Sequence, residues 1–309
     1  MGLLLSSGVA DAITEREAIE ARIAGLAAEA DPEAGLYGPR SVAWQVYRER
    51  AVLLGGARAL LLQIAHPAVA RGVAEHSDFR RDPLGRALRT FEVMYALVFG
   101  RVDEALAASR RMRLRHRPVV GPGYRADDPA LLLWVAATLM DSAVLAYERH
   151  VAPLGERREA LYAEHRARFP LFGLDPAGTP ASWAEFQEYF QDMLEGTCLE
   201  VGDDARAIAE ALLAEPPSLY LRGVLGLGGA LVGAADRWPL RAGFGGALHL
   251  LAGADLAGRL REGFGLAWGP AEERRAGRLA AALARVYRCL PAALREVPAY
   301  REARARIGA

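Results

Sequence analysis

The 309-residue chain is 52% hydrophobic and 25% charged, a balance that suits a folded globular protein and excludes a disordered one. Its 38 acidic side chains cancel 38 basic ones, all of them arginine, so it lacks the cationic surplus a nucleic-acid binder needs. That arginine and alanine bias is what a GC-rich bacterial genome would produce.

Helical periodicity governs the chain from its start. Residues 14–30, "TEREAIEARIAGLAAEA", set Ile19, Ile23 and Leu26 on one face and charged groups on the other. Residues 1–35 form an N-terminal helix and lead-in, and 36–309 a single all-α domain. "VAWQVYRERAVLLGGARALLLQIAHP" predicts one or two helices with a soft point at Gly55-Gly56. Asp82-Pro83 opens the next helix, proline in the first turn, and Gly100 closes it. "VDEALAASRRMRLRH" follows and stops before Pro118. "ADDPALLLWVAATLMDSAVLAYERH" starts on aspartates and a proline and predicts a long buried helix. Further helices are predicted at 155–168, 181–199, 203–213, 217–234, 240–260, 270–290 and 298–307, with the "FPLFGLDPAGTP" loop as the internal seam. No period-two run of β-branched residues occurs, so strands are not expected. The fold class is an all-α, single-domain helical bundle.

The longest glycine-rich apolar runs fall short of the roughly 20 residues a bilayer span needs, so no transmembrane helix is expected. Cys198 and Cys289 lie far apart without metal-ligand spacing, which points to a reducing cytoplasmic setting, with peripheral membrane contact left open. No nucleophile elbow, P-loop, dinucleotide fingerprint or HExxH is present.

The polar residues among apolar helices are the candidates for chemistry. His66, in "LLLQIAHPAVARGV", is either a hydrogen-bonded core residue or a ligand, and His76 a boundary residue or a partner for it. Arg86 and Thr90 share a helix face, Arg89 lies beside them, and the helix beyond is apolar. This is either a solvated first turn or a grip for an anionic group at the mouth of an apolar pocket. His116 stands in "RRMRLRHRPVVG": a surface histidine, or a metal ligand whose arginine neighbours pair with an anionic cofactor. Asp141, in the middle of an apolar helix, is costly to bury alone, so it is either paired with a core arginine or orients a metal-bound group.

Several short motifs in order carry a resemblance across residues 36–305: "LLLQIAHPAVARGVAEHSDFRRDPLGRALRTFEVMYALVFG", "RLRHRPVVG", "YRADDPALLLWVAATLMDS" and "LPAALREVPAYREAR". Together they resemble the latex-clearing-protein and MpaB-type oxygenase family. The resemblance implies a globin-like helical core holding heme b, and an oxygenase acting with dioxygen on an apolar, isoprenoid or lipid-like substrate. It implies His116 as axial iron ligand, with Arg86 and Thr90 in the heme pocket and Arg89 where the family has lysine. Arginine effectively never deprotonates, so a lysine-ligated resting iron is excluded by this exchange. No glutamate occupies the family's distal base position, where His66, Glu75 and His76 are the nearest polar groups. "WVAATL" has Ala137 where many relatives resemble "WVHATL". Two alternatives stay open: a non-heme iron site from His66, His76 and His116 with Asp141 or Glu75, and a non-catalytic heme or lipid binder.

Overall fold

A computed structural model describes residues 2–77, 83–214 and 240–308, with side chains described over 16–77, 89–214 and 246–308. The expected helix at 217–234 lies outside the described residues. The described residues are all-α apart from one two-stranded hairpin.

In chain order the helices are α1 (Gly2–Glu29), α2 (Val42–Tyr47), α3 (Gly56–Ile64), α4 (Pro67–His76), α5 (Pro83–Phe99) and α6 (Val102–His116). After a hairpin of β1 (Val120–Gly121) and β2 (Tyr124–Arg125) come α7 (Pro129–His150), α8 (Arg157–Ala167), α9 (Trp183–Glu195) and α10 (Asp203–Leu213). The chain closes with α11 (Leu240–Gly253), α12 (Gly258–Gly263), α13 (Pro270–Cys289), α14 (Ala292–Arg295) and α15 (Pro298–Arg306).

Local chemistry sets these boundaries. Asp128 caps α7 by accepting the Ala130 N–H at 2.8 Å, with Pro129 in the first turn. Ser182 caps α9, its hydroxyl oxygen accepting the Glu185 N–H at 3.2 Å. The soft point at Gly55-Gly56 is a change of helix type, where a 3-10 turn over Arg50–Gly55 runs into α3. The hairpin departs from the strand-free expectation. Its pairs, Val120 with Arg125 and Gly121 with Tyr124, are too few to show any alternation, and Gly123 turns the chain at φ +80°.

The long helix α7 is shared by two hydrophobic clusters. Trp134, Ala137 and Met140 face a cluster built with α3, α4, α9, α10 and α11, while Ala143, Val144 and Tyr147 face one built with α1, α2, α5 and α8. Each cluster is anchored by a fully buried tryptophan whose indole N–H is satisfied. Trp134 donates to the Leu62 carbonyl at 3.1 Å and Trp44 to that of Val98 at 2.8 Å. Burial of 150–250 Å² per large aromatic is worth about 4–6 kcal/mol each before entropy is charged. By length and composition α7 could cross a bilayer, yet 56% of its apolar window is buried inside the fold, as a central core helix requires.

Asp141 sits on this helix and its partner is Arg58 of α3. The Arg58 guanidinium donates to the Asp141 carboxylate at 2.6 Å, to the Ser142 hydroxyl at 2.8 Å and to the Asp255 carbonyl at 3.1 Å. A second pair, Arg149 with Asp255, extends the network. The acid in the middle of α7 is therefore held by a core arginine.

Candidate functional site

His116 ends α6, where Pro118 stops the helix and the Val119 N–H returns to the His116 carbonyl at 3.0 Å. Its half-buried ring opens on a cleft of about 310 Å³. Four arginines line this cleft, Arg16, Arg113, Arg117 and Arg125, against Asp127 and Asp128, over a floor that includes Ile19, Leu132 and Phe172. Arg113 is committed to Glu20 at 2.6 Å, which holds the Glu20 carboxyl below its ordinary range, and Arg125 to Asp127 at 3.0 Å. Arg16 and Arg117 form no ion pair among the described residues and leave the rim cationic.

His66 takes a different place. It caps α4, its Nδ1 accepting the Ala68 N–H at 3.3 Å, with Pro67 as the first helical residue. Burial lowers its pKa from the usual histidine value, so the ring is neutral at pH 7. It opens on a second cavity, of about 380 Å³, shared with Leu133, Tyr189 and Cys198. Pro129 lines both spaces, so the first turn of α7 is the wall between them, with Leu132 on the His116 side and Leu133 on the His66 side.

Arg89 and Thr90 stand exposed on α5, which joins α6 through Gly100-Arg101 and packs against it. Arg86 lies three residues earlier on the same helix, outside the residues whose side chains are described. Phe91, next after Thr90, lies against Gly56. Ala137 is buried in the cluster around Trp134. His150 and His165 are core histidines. Burial and the neighbouring Arg149 push His150 down to about 4, and burial and Arg168 push His165 down to about 3.

His66 and His76 sit at opposite ends of α4, roughly 15 Å apart at 1.5 Å per residue, too far to share one ion. His76 instead contacts Glu75 at 4.0 Å and the edge of Tyr124. Among the described residues no group of three His, Cys, Asp or Glu side chains could hold a metal ion. The three-histidine non-heme arrangement is thereby corrected: the length of α4 separates His66 from His76, and His66 and His116 open on different spaces.

The catalytic-domain signature of the ER-bound oxygenase mpaB/B'/rubber oxygenase family matches residues 44–288, well over half of the chain. The chain belongs to this family. Similar to it are an uncharacterized protein of Mycobacterium bovis (Mb2261) and one of Mycobacterium tuberculosis (Rv2237). Each is 26% identical over 227 residues, covering 70% of this chain and 81% of the relative. No solved structure gives a significant match. Membership in the mpaB/rubber oxygenase family supports an oxygenase-like function, with dioxygen and an organic molecule as reactants, and suggests a metal or heme cofactor.

The donor set around His116 fits heme chemically. One imidazole suffices as a protein ligand to heme iron, cationic side chains suit its carboxylates, and the floor is apolar. The second cavity brings in residues that sequence reasoning missed. Tyr189 and Cys198 lie more than 120 positions from His66 and carry no motif that links them to it. Arg259 was missed for the same reason. It donates to the carbonyls of Leu194 (2.6 Å), Gly196 (2.7 Å) and Leu199 (2.8 Å), pinning the segment that carries Cys198.

Proposed function

We propose that this member of the family is a heme b-dependent oxygenase-like protein acting with dioxygen on an apolar, isoprenoid- or lipid-like substrate. The observation that carries this reading is the setting of His116: a half-buried imidazole at a helix end, between a cationic rim and an apolar floor. His116 would hold the heme iron through its imidazole. Arg16 and Arg117 at the rim, with Arg86 on α5, would pair with the carboxylates of the group. Thr90 would offer a hydroxyl donor, and Arg89, always charged, would hold an anion without ever competing for the iron. When bound, the heme iron would supply the oxidative step, while the protein binds, orients and excludes water. Cys198 and Cys289, both free thiols, suit a reducing cytoplasmic compartment.

The test uses the full-length protein produced in heme-replete cells. A Soret band and a pyridine hemochrome of heme b are expected for the wild type, both lost in His116→Ala. Oxygen uptake is expected with some member of a panel of unsaturated terpenoids and lipids. Iron without a Soret band would overturn the heme assignment. Heme binding with no oxygen consumed across the panel would make the protein a binder rather than an oxygenase.

A further inference from the structure

The cavity behind His66 has its own chemistry. It lies between the start of α4, the first turns of α7, the loop before α9, and the segment after α9 that ends at Cys198. Leu133, Leu174 and Met193 give it apolar walls. At about 380 Å³ it falls at the small end of ligand sites.

Its polar groups sort by what they have left to offer. His66 Nδ1 is taken by the Ala68 N–H, which fixes the proton of the neutral ring on Nε2 and makes that atom a donor. Burial raises the Tyr189 phenol far above its ordinary value, so it keeps its proton and is a second donor. The Thr179 hydroxyl already donates to the Pro176 carbonyl at 2.8 Å. Asp175 is the one charged residue lining the cavity among the described residues. It accepts the Ala177 N–H and is matched by Arg22 at 3.2 Å, which leaves no unbalanced charge to attract a cation. Among the described residues no arginine or lysine lines the cavity to hold an anion, and a carboxylate ligand would meet Asp175. The cavity therefore offers uncharged donors in an apolar enclosure and needs its ligand to bring the acceptor.

We propose that this cavity binds an uncharged, mainly aliphatic molecule through one carbonyl oxygen, with His66 Nε2–H as the donor that fixes it and Tyr189 beside it. The site stands on its own geometry, and heme-free full-length protein binds this ligand as well.

Cys198 lines the cavity and is exposed, so it reports occupancy. With Cys289 changed to Ser, its rate of reaction with a maleimide is followed while methyl nonyl ketone, nonane or decanoate is titrated in. The ketone should slow labelling saturably and far more strongly than either control. In His66→Ser the hydroxyl still caps α4 but is too short to reach the ligand, and the ketone should bind about tenfold more weakly, the ~1.4 kcal/mol of one hydrogen bond. His66→Asn, which keeps both a capping oxygen and an N–H donor, should recover most of that loss. Equal protection by nonane or decanoate would overturn the proposal, as would unchanged ketone affinity in His66→Ser. Should the serine variant fail to fold, ketone binding by the asparagine variant no better than nonane binding would also overturn it.

Discussion

Replacing Gly55 by Ala tests the close approach on which the site-bearing helix α7 depends. At Gly55 the backbone is ordinary, φ −74°, so an alanine there would by conformation alone be acceptable or slightly stabilising. The obstacle is steric. A Cβ at this position would lie 2.4 Å from the carbonyl oxygen and 3.0 Å from the carbonyl carbon of Ser142 on α7. Backbone cannot rotate away as a side-chain tip can, so the 3-10 turn or α7 would have to shift by about an ångström, an overpacking that costs typically 1–3 kcal/mol. The upper part of that range is expected, since Ser142 also receives the Arg58 guanidinium. For 309 residues, with an unfolding entropy of about 2.1 cal/mol/K per residue, about 2–3 kcal/mol corresponds to a fall in Tm of roughly 3–5 °C. Differential scanning calorimetry of the full chain measures it. Gly277, exposed on α13 with no atom within 4 Å of a built Cβ, supplies the control: the same substitution there should stabilise by about 0.5–1 kcal/mol. A Gly55→Ala protein that melts with the wild type, or with the Gly277→Ala control, would refute the packing of α7 against that turn.

Two other perturbations follow from the same contacts. Burial holds the Asp141 carboxyl above the ordinary carboxylate range even with Arg58 beside it. The folded state thus binds the proton more tightly than the unfolded one, and this stability is present below the unfolded value near ~3.9 and lost as pH rises through the raised folded value. The stability of the wild type relative to Asp141→Asn should therefore fall as pH increases across that window in urea unfolding. A relative stability that rises instead would show that pairing outweighs burial. Arg259→Leu removes the donors that pin Leu194, Gly196 and Leu199, and should speed maleimide labelling of Cys198 severalfold; an unchanged rate would mean the segment is held by other contacts.

Most of the helical architecture was legible because its signals are local. Asp128-Pro129 and Pro83 mark helix starts, Gly100 and Pro118 mark ends, and each observed helix boundary lies close to them. The period of α1 was readable at Ile19 and Ile23, both buried. The hairpin at 120–125 was not readable, since two residues per strand contain no period. Asp141 advertised that it needed a partner, but nothing in "GARALLLQI" distinguishes Arg58 from the other arginines; only the crossing of α3 and α7 selects it. The candidate site was legible in part. His116 and His66 stood out as polar groups in apolar stretches, whereas their separation into two spaces by Pro129 depends on how α7 enters the core. Tyr189 and Cys198 gave no signal, because their relation to His66 exists only once α4, α7 and α9 have packed.

The proposed function rests on a bond from the His116 imidazole to heme iron. Resonance Raman spectra of the reduced, heme-loaded protein read that bond through its iron–histidine stretch. The band is expected in the wild type, is expected to be lost in His116→Gly, and should return when free imidazole is added to that variant. The same band at the same strength in wild type and His116→Gly, with no response to imidazole, would contradict it.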